Sequence, residues 1–565
     1  MTALRLSRPS PRLLTMGVAV VLALGLLGEG GATNATASAA PIATAPADAA
    51  PTAAQRGLRF APAASTVEAY NYDGFVYFDS GVWMAAYGEG YEFWAKKAKP
   101  SARATLTKTV IRGDERTTTK APAAIVDGLG GFKKGLTVQV TDSTGKVLIK
   151  KSRSLCLSGM ERQRVEPTGN TEPIYPMFCG GDWFTKSSVS GIEQGWATKL
   201  DTYFELKTTR KNLRMTVTIS DPVADFLGLP ATGRSVSQRV KVIDECTVVD
   251  CGEVGDALLG APAEGFSTLA EGDAASTHAD QVRAMASGAH GTHGAGDGAG
   301  SSHRANLFTL QGGSQEHGGD HPALGQPGSK PSNKAPAEDT LPDLQSLPAW
   351  QIGIERSSGA DRLTFNANEW NAGPAPLVVE GYRKGAAEVM DAYQFFYRDG
   401  KEVGSTKTGK MKYHAAPEHD HWHFLDFASY ELVKPDGTLV TTSGKQSWCL
   451  APTNAVDLSV PGATWRPEAT GLDSTCGDRS ALWLREVLPV GWGDTYNQTQ
   501  TQAFKLTGVK NGTYQIKITV NPNGSLHELT TDNNVSYRTV VLGGKPGKRT
   551  VTVPPYEGVD TEIVN

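Results

Sequence analysis

The chain has 565 residues, a length that provides for two large domains or for three to four of about 150 residues each. Its composition, with 39% hydrophobic and 20% charged residues, 63 Gly and 32 Pro, excludes a collagen, a coiled coil and a multi-span membrane protein. The 55 basic and 59 acidic side chains give a formal net charge of -4, so no large positive field is present to attract nucleic acid or anionic lipid.

The first residues have the three parts of a secretory signal peptide. Three arginines precede an apolar run from Leu13 to Leu27, and small residues follow as far as Ala39. A membrane-spanning helix needs about 20 apolar residues, and this run is shorter. The sequence therefore predicts a signal peptide over residues 1–39 and a secreted, extracellular protein that has no transmembrane segment after cleavage.

Two segments with few large apolar residues are predicted to be disordered. The first is an Ala/Pro-rich stretch at residues 40–58, and the second is a Gly/His-rich linker at residues 253–340. Irregularly spaced histidines among glycines favour a solvated tether with weak metal affinity over a specific metal site. The linker histidines are His278, His290, His293, His303, His317 and His321.

The two remaining blocks, residues 59–252 and 341–545, have the pattern of β-strands. Apolar residues alternate with polar ones from Tyr514 to Val520 and from Leu213 to Ile219, which is typical of half-buried antiparallel strands. Helical periodicity is scarce and turn residues recur at short intervals. We therefore predict an all-β protein with two β-sandwich-like domains and a C-terminal tail at residues 546–565.

The blocks also resemble each other in the order of their segments. LTVQVTDSTGKVL precedes SLCLSG in the first block as ASYELVKPDGTLV precedes SWCLAP in the second, and a Gly-Trp pair follows in each. This order favours an internal duplication. The first block contains no histidine, so it is predicted to be a degenerate copy without the chemistry of the second.

Six cysteines in an exported chain fit three disulfides better than a zinc site or a thiol nucleophile. Of the fifteen possible pairings, we expect the one that joins neighbours in the sequence. These pairs are Cys156–Cys179, Cys246–Cys251 and Cys449–Cys476.

The most specific segment is EHDHWHF, in which His419, His421 and His423 follow one another at every second residue. On a strand, such residues point to the same face at intervals of about 7 Å. A twisted strand end can bring three such rings to one ion, and imidazole suits copper and zinc. A solvent-facing histidine patch is the alternative, and His414 is a candidate fourth ligand.

Together, several segments resemble the catalytic domain of the lysyl oxidase family of copper-dependent amine oxidases. The resemblance rests on EHDHWHF, the following FASYELV, the GK-x-S-x-C-L segment that contains Lys445, the D-T-Y that contains Tyr496, and ITVNPN followed by DNNVSY. These segments keep the family's order from about Leu341 to Leu542. A lysine or a tyrosine taken by itself would not indicate this family.

The resemblance implies that His419, His421 and His423 hold Cu(2+). It also implies that Lys445 and Tyr496 are the catalytic residues, because together they form the lysine tyrosylquinone cofactor. The implied reaction is the oxidation of primary amines, with protein lysine side chains among the candidates, by dioxygen to aldehyde, ammonia and hydrogen peroxide.

Alternatives remain at this stage. The main one is a non-catalytic secreted copper- or zinc-binding β-sandwich surface protein in which Lys445 and Tyr496 never become joined. A further one is an adhesin without metal. The candidates for the base that removes the substrate proton are Asp494, Asp420 and Asp426.

Overall fold

The computed structural model describes residues 56–72, 74–78, 81–244, 326–332, 336–415, 421–497 and 502–562. The predicted signal peptide, the 40–58 segment up to residue 55 and most of the predicted linker lie outside these ranges, as do Cys246 and Cys251. The described residues are built almost entirely of strands, so the predicted all-β class is confirmed.

The first block contains fifteen strands within its described residues. They are β1 Gly57–Pro62, β2 Thr66–Tyr72, β3 Phe75–Phe78, β4 Val82–Tyr87, β5 Gly90–Lys96, β6 Thr105–Arg112, β7 Glu115–Lys120, β8 Phe132–Asp142, β9 Val147–Leu155, β10 Arg162–Arg164, β11 Ser187–Ile192, β12 Trp196–Lys199, β13 Phe204–Lys207, β14 Asn212–Ile219 and β15 Ser235–Asp244. The helices are α1 Asp221–Leu227 and the 3-10 turns Ala123–Ile125 and Ala231–Gly233.

These strands form three sheets around an apolar core. The strand orders are β1-β4-β12-β10, β11-β5-β6-β7 and β13-β3-β2-β15-β14-β8-β9. In β14, Leu213, Met215, Val217 and Ile219 are buried between more exposed residues, as the alternation predicts. All the sheet pairs of this block are antiparallel except β15 with β2.

The described part of the second block contains sixteen strands. They are β16 Leu344–Ser346, β17 Trp350–Ser357, β18 Ala360–Asn371, β19 Leu377–Arg383, β20 Val389–Arg398, β21 Lys401–His414, β22 His421–Phe424, β23 Ala428–Val433, β24 Leu439–Thr442, β25 Asn454–Ala455, β26 Trp483–Leu488, β27 Trp492–Tyr496, β28 Ala503–Lys505, β29 Gly512–Val520, β30 Val535–Lys545 and β31 Lys548–Thr552. Two 3-10 turns, Glu338–Thr340 and Pro467–Ala469, complete the block.

Three sheets again surround one core. Their orders are β16-β18-β27-β25, with β17 and β28 also paired to β18, then β22-β21-β20-β19-β26 and β24-β23-β29-β30-β31. The predicted apolar positions of β29, from Tyr514 to Val520, are buried. The block extends beyond the predicted boundary at residue 545, because β31 lies in the predicted tail and pairs with β30. No helix among the described residues has the length and apolar character needed to cross a bilayer.

The end of the predicted linker is in contact with the second block. The backbone N–H of Gly328 donates to the carboxylate of Glu380, and Arg398 forms an ion pair with Asp339. Residues 326–332 and 336–340 therefore belong structurally to the second block, whose described part begins before residue 341.

The two blocks share much of their strand order. The order β9-β8-β14-β15 of the first recurs as β24-β23-β29-β30 in the second, and β11-β5-β6-β7 recurs as β26-β19-β20-β21. The pair β12-β4 corresponds to β27-β18, and equivalent backbone bonds run from Gly195 to Ala86 and from Gly491 to Asn371. These correspondences support an internal duplication.

The two blocks pack against each other through aromatic rings. Trp465 of the second block stacks on Tyr175 at 5.9 Å and meets the edge of Trp94 at 5.5 Å. The backbone N–H of Lys186 donates to the Val456 carbonyl at 2.7 Å. The interface therefore includes the loop that precedes β26 and β27.

Trp465→Ala is expected to lower the free energy of unfolding by about 1–3 kcal/mol, because it removes a half-buried ring that packs on aromatic rings of the first block. Urea unfolding followed by fluorescence measures this change. Leu482→Ala is the control, since Leu482 is 67% exposed. An unchanged midpoint for Trp465→Ala would mean that the aromatic contact contributes nothing to stability.

Candidate active site

Three histidines meet at the edge of the second block. His421 and His423 lie on β22, and His414, at the end of β21, is paired directly with His421. The Nε2 atoms of His421 and His423 are 2.9 Å apart, and the ring of His414 is 5.5 Å from that of His423. His423 is 3% exposed. His419, the remaining predicted ligand, lies outside the described residues.

The strand period explains this arrangement. Alternate residues of β22 share a face, so His421 and His423 point together while Trp422 between them is buried on the other side. The pairing of β21 with β22 then adds His414 to the imidazole face. The structure thus brings together two of the three predicted ligands and the candidate fourth.

A disulfide lies directly beside the histidines. Cys449 and Cys476 are bonded, and their sulfurs lie within 4.8 Å of a ring nitrogen of His421. A sulfur in a disulfide is not a thiolate, so it is no ligand for copper or zinc. Cys156 and Cys179 also form a disulfide, so two of the three expected pairings are confirmed and the third lies outside the described residues.

Lys445 and Tyr496 lie against each other. The Lys445 Nζ is 3.9 Å from the centroid of the Tyr496 ring. The Tyr496 hydroxyl accepts from the backbone N–H of Cys449 at 3.0 Å and faces the Cys449 carbonyl at 3.3 Å. The ring also packs on Trp448, with centroids 4.1 Å apart. The phenol is therefore held in one orientation beneath the amine.

Cys449 connects this pair to the histidines. Its backbone binds the Tyr496 hydroxyl, and its sulfur lies near His421. The preceding residue, Trp448, exchanges two backbone hydrogen bonds with Phe424, the residue after His423. The histidine face and the Lys445–Tyr496 pair thus lie on either side of one short segment.

Burial changes the acid–base properties of the pair. Lys445 is 7% exposed, and desolvation lowers its pKa to about 8, although the negative charges of Asp494 and Glu369 oppose this change. Burial also raises the pKa of Tyr496, and Asp494 raises it further. At pH above about 8 the amine is mostly neutral while the phenol keeps its proton.

Three buried carboxyl groups complete the site. Glu369 on β18 and Asp494 on β27 are directly opposite in the sheet, and Glu486 on β26 lies nearby. All three are at most 1% exposed, and burial raises each pKa well above its ordinary value. A buried unpaired carboxylate costs several kcal/mol, so three ionised groups here would be strongly unfavourable.

Sequence reasoning identified Asp494 but missed the other two carboxyls. Glu369 lies in β18 between Asn368 and Trp370, and all three are buried. Their burial comes from the packing of the block, so the sequence carries no signal that could have identified Glu369. Of the other candidate bases, Asp426 is exposed in a turn, and Asp420 lies outside the described residues.

The first block lacks this chemistry at the equivalent positions. Where the second block pairs Glu369 with Asp494, the first pairs Met84 with Thr198. By the same correspondence, Leu200 stands in the place of Tyr496. The first block thus has uncharged side chains at these positions, and its description as a degenerate copy stays a prediction.

Comparison with known proteins identifies a family for part of the chain. The lysyl oxidase family profile matches residues 399–550. The human Lysyl oxidase homolog 3 (Homo sapiens) is 28% identical over 118 residues, which are 20% of this chain and 14% of that protein. The zebrafish Lysyl oxidase homolog 2A (Danio rerio) is 30% identical over 133 residues, 22% of this chain and 16% of that protein. The matched segment thus spans about a seventh of these curated relatives.

Proposed function

We propose, starting from the lysyl oxidase family domain that residues 399–550 form, that this protein is a secreted copper- and quinone-dependent amine oxidase. The family supports a copper-dependent amine oxidase in general terms. The observation that carries the finer proposal is the position of the Lys445 Nζ, 3.9 Å from the centroid of the Tyr496 ring. Two residues far apart in the sequence are thereby in place to be joined.

The imidazole set fits a copper ion. His421 and His423 present nitrogen atoms at close range in a mostly buried setting, and nitrogen donors are those that copper prefers. We assign the ion to His421, His423 and the predicted His419, with His414 as the nearest additional donor. Cys449 and Cys476, which lie beside His421, are bonded to each other, so neither offers a thiolate at this face.

Lys445 and Tyr496 fit the precursors of lysine tyrosylquinone. In the overall reaction, the tyrosine ring and the lysine amine consume two molecules of dioxygen and yield the joined residues, one water and one hydrogen peroxide. One C–O bond and one C–N bond form, and four hydrogens leave. When copper and quinone are both in place, they supply the redox chemistry that turns a primary amine and dioxygen into aldehyde, ammonia and hydrogen peroxide.

The surrounding residues prepare the pair for this reaction. Burial makes the amine of Lys445 neutral more readily, and only the neutral form carries the lone pair for bond formation. The backbone of Cys449 holds the phenol oxygen, which sets the ring orientation. Trp448 covers the ring and limits access by water.

The test is the mass of the joined peptide. Copper-loaded protein exposed to air is digested with trypsin, which does not cut after a lysine whose amine is bonded to a ring. A peptide that joins Lys445 to Tyr496 is expected with a mass about 12 Da above the sum of the Tyr496 peptide and the peptide left uncut at Lys445, one oxygen gained and four hydrogens lost. A panel of small amines, polyamines and lysine peptides with peroxide detection then defines the substrate. Unjoined peptides in copper-loaded protein would instead favour a non-catalytic metal-binding surface protein.

A further inference from the structure

The site contains more acid than its one amine can neutralise. Glu369, Asp494 and Glu486 each have one carboxyl oxygen without a hydrogen-bond partner in the described part of the chain. Lys445 is the buried cation among them; its Nζ lies over the Tyr496 ring, and the charges of Asp494 and Glu369 act on it. Buried polar groups are normally satisfied, so these carboxyl oxygens are candidates to accept a proton.

The sheet register arranges two of the three carboxyls as a pair. Glu369 and Asp494 are directly opposite on antiparallel strands, a position at which Cβ atoms are about 5 Å apart. Asp494 and Tyr496 are two residues apart on β27, so they share a face of the sheet. The carboxyl pair therefore lies on the same side as the ring and the amine.

Two opposed carboxyls in a dry site hold one proton between them. Burial raises the pKa of both, and the charge of Asp494 raises that of Glu369 further. When the pair shares one proton, its other member is the proton acceptor that lies on the same side of the sheet as Lys445. The other titratable groups that face this pair or Lys445 are Glu486, which accepts from the Leu450 N–H, Tyr430, which faces Glu369 at 3.4 Å, and Tyr496.

We propose that the Glu369–Asp494 pair accepts the proton that Lys445 loses before its nitrogen bonds to the Tyr496 ring. The proposal rests on the function given above. An N–H bond of the ammonium breaks and its proton passes to the ionised carboxyl. The freed electron pair forms the C–N bond to the ring that dioxygen has oxidised, while a pair of ring π electrons moves onto a ring oxygen. The first block, which has neither the lysine nor the tyrosine, has Met84 and Thr198 instead of the pair.

The test is the rate of cross-link formation in Asp494→Asn, measured by peptide mass after copper is added in air to the metal-free full chain. At pH 7 we expect the rate to fall by about 10- to 100-fold at unchanged copper content, and to recover toward the wild-type rate near pH 10, where hydroxide replaces the acceptor. Asp391→Asn is the matched control, because Asp391 is a buried aspartate of the same block that contacts three surface lysines.

Whether Asp494→Asn slows or speeds cross-link formation distinguishes a proton acceptor from a group that acts only through its negative charge. The charge of Asp494 raises the pKa of Lys445, so its loss alone would make the amine more neutral and the reaction faster. An unchanged or faster rate at pH 7, or a loss that no pH restores, would overturn the proposal. If Asp494→Asn does not fold, Glu369→Gln or the double change Glu369→Met with Asp494→Thr, which copies the first block, decides the same question. Absence of the cross-link in the wild type would instead refute the proposed function.

Discussion

Replacing Tyr496 by phenylalanine is expected to abolish amine oxidation while copper stays bound. Phenylalanine lacks the ring oxygen that activates the ring toward oxidation, and it also loses the hydrogen bonds to the Cys449 backbone. Because the proposed quinone would carry the chemistry, turnover should fall by at least about 10⁴-fold, to the limit of detection. Peroxide release from a primary amine measures the loss, and phenylhydrazine labelling measures the quinone.

Tyr514→Phe is the matched control for this change. Tyr514 is a buried tyrosine of the same block whose hydroxyl donates to the Lys510 carbonyl, so its loss tests the general cost of removing such a hydroxyl. Phenylhydrazine labelling that persists in Tyr496→Phe would show that another residue forms the carbonyl. In that case the assignment of Lys445 and Tyr496 would be withdrawn.

His423→Ala is expected to weaken copper binding by more than about 100-fold, since a metal held by a few imidazoles loses a direct bond. His423 is the most buried histidine of the cluster, and its Nε2 lies 2.9 Å from that of His421. Formation of the Lys445–Tyr496 cross-link should also fail in His423→Ala. Copper per protein after dialysis, measured by atomic absorption, and the mass of the Lys445–Tyr496 peptide report the two effects separately.

His527→Ala controls for the loss of an imidazole in this block, because His527 is exposed and its ring lies beside Phe396 instead of the histidine cluster. The same dialysis should remove copper that the linker histidines hold weakly. Full copper content and a normal cross-link in His423→Ala would remove His423 from the ligand set. His414→Ala tests whether the fourth histidine also contributes.

The strands were predictable because their evidence is local. Alternation from Tyr514 to Val520 and from Leu213 to Ile219 predicts which side chains enter the core, and both strands have that burial pattern. The end of the linker was less predictable. The contacts of Gly328 and Asp339 with the second block involve single polar groups, which leave no periodic pattern in the sequence.

The Glu369–Asp494 pair shows more clearly what cannot be predicted from the sequence. Nothing near Glu369 in the sequence indicates that it faces Asp494, because the register of β18 with β27 depends on the whole sheet. The shared topology of the two blocks also needed the strand orders, since only a few short segments remain alike in sequence. Burial of Lys445, and with it the lowered pKa, is likewise a property of the assembled core.

By itself, the sequence determined the all-β class, the spacing of His421 and His423 on one strand face, and the motif order that resembles the lysyl oxidase family. Each of these depends on residues close together along the chain, where the period of two of a β-strand decides which way side chains point. Only the tertiary structure decided that the Lys445 amine lies over the Tyr496 ring, that Glu369 opposes Asp494, and that the first block packs on the second. These are contacts between distant segments, and strand pairing and core packing select them together.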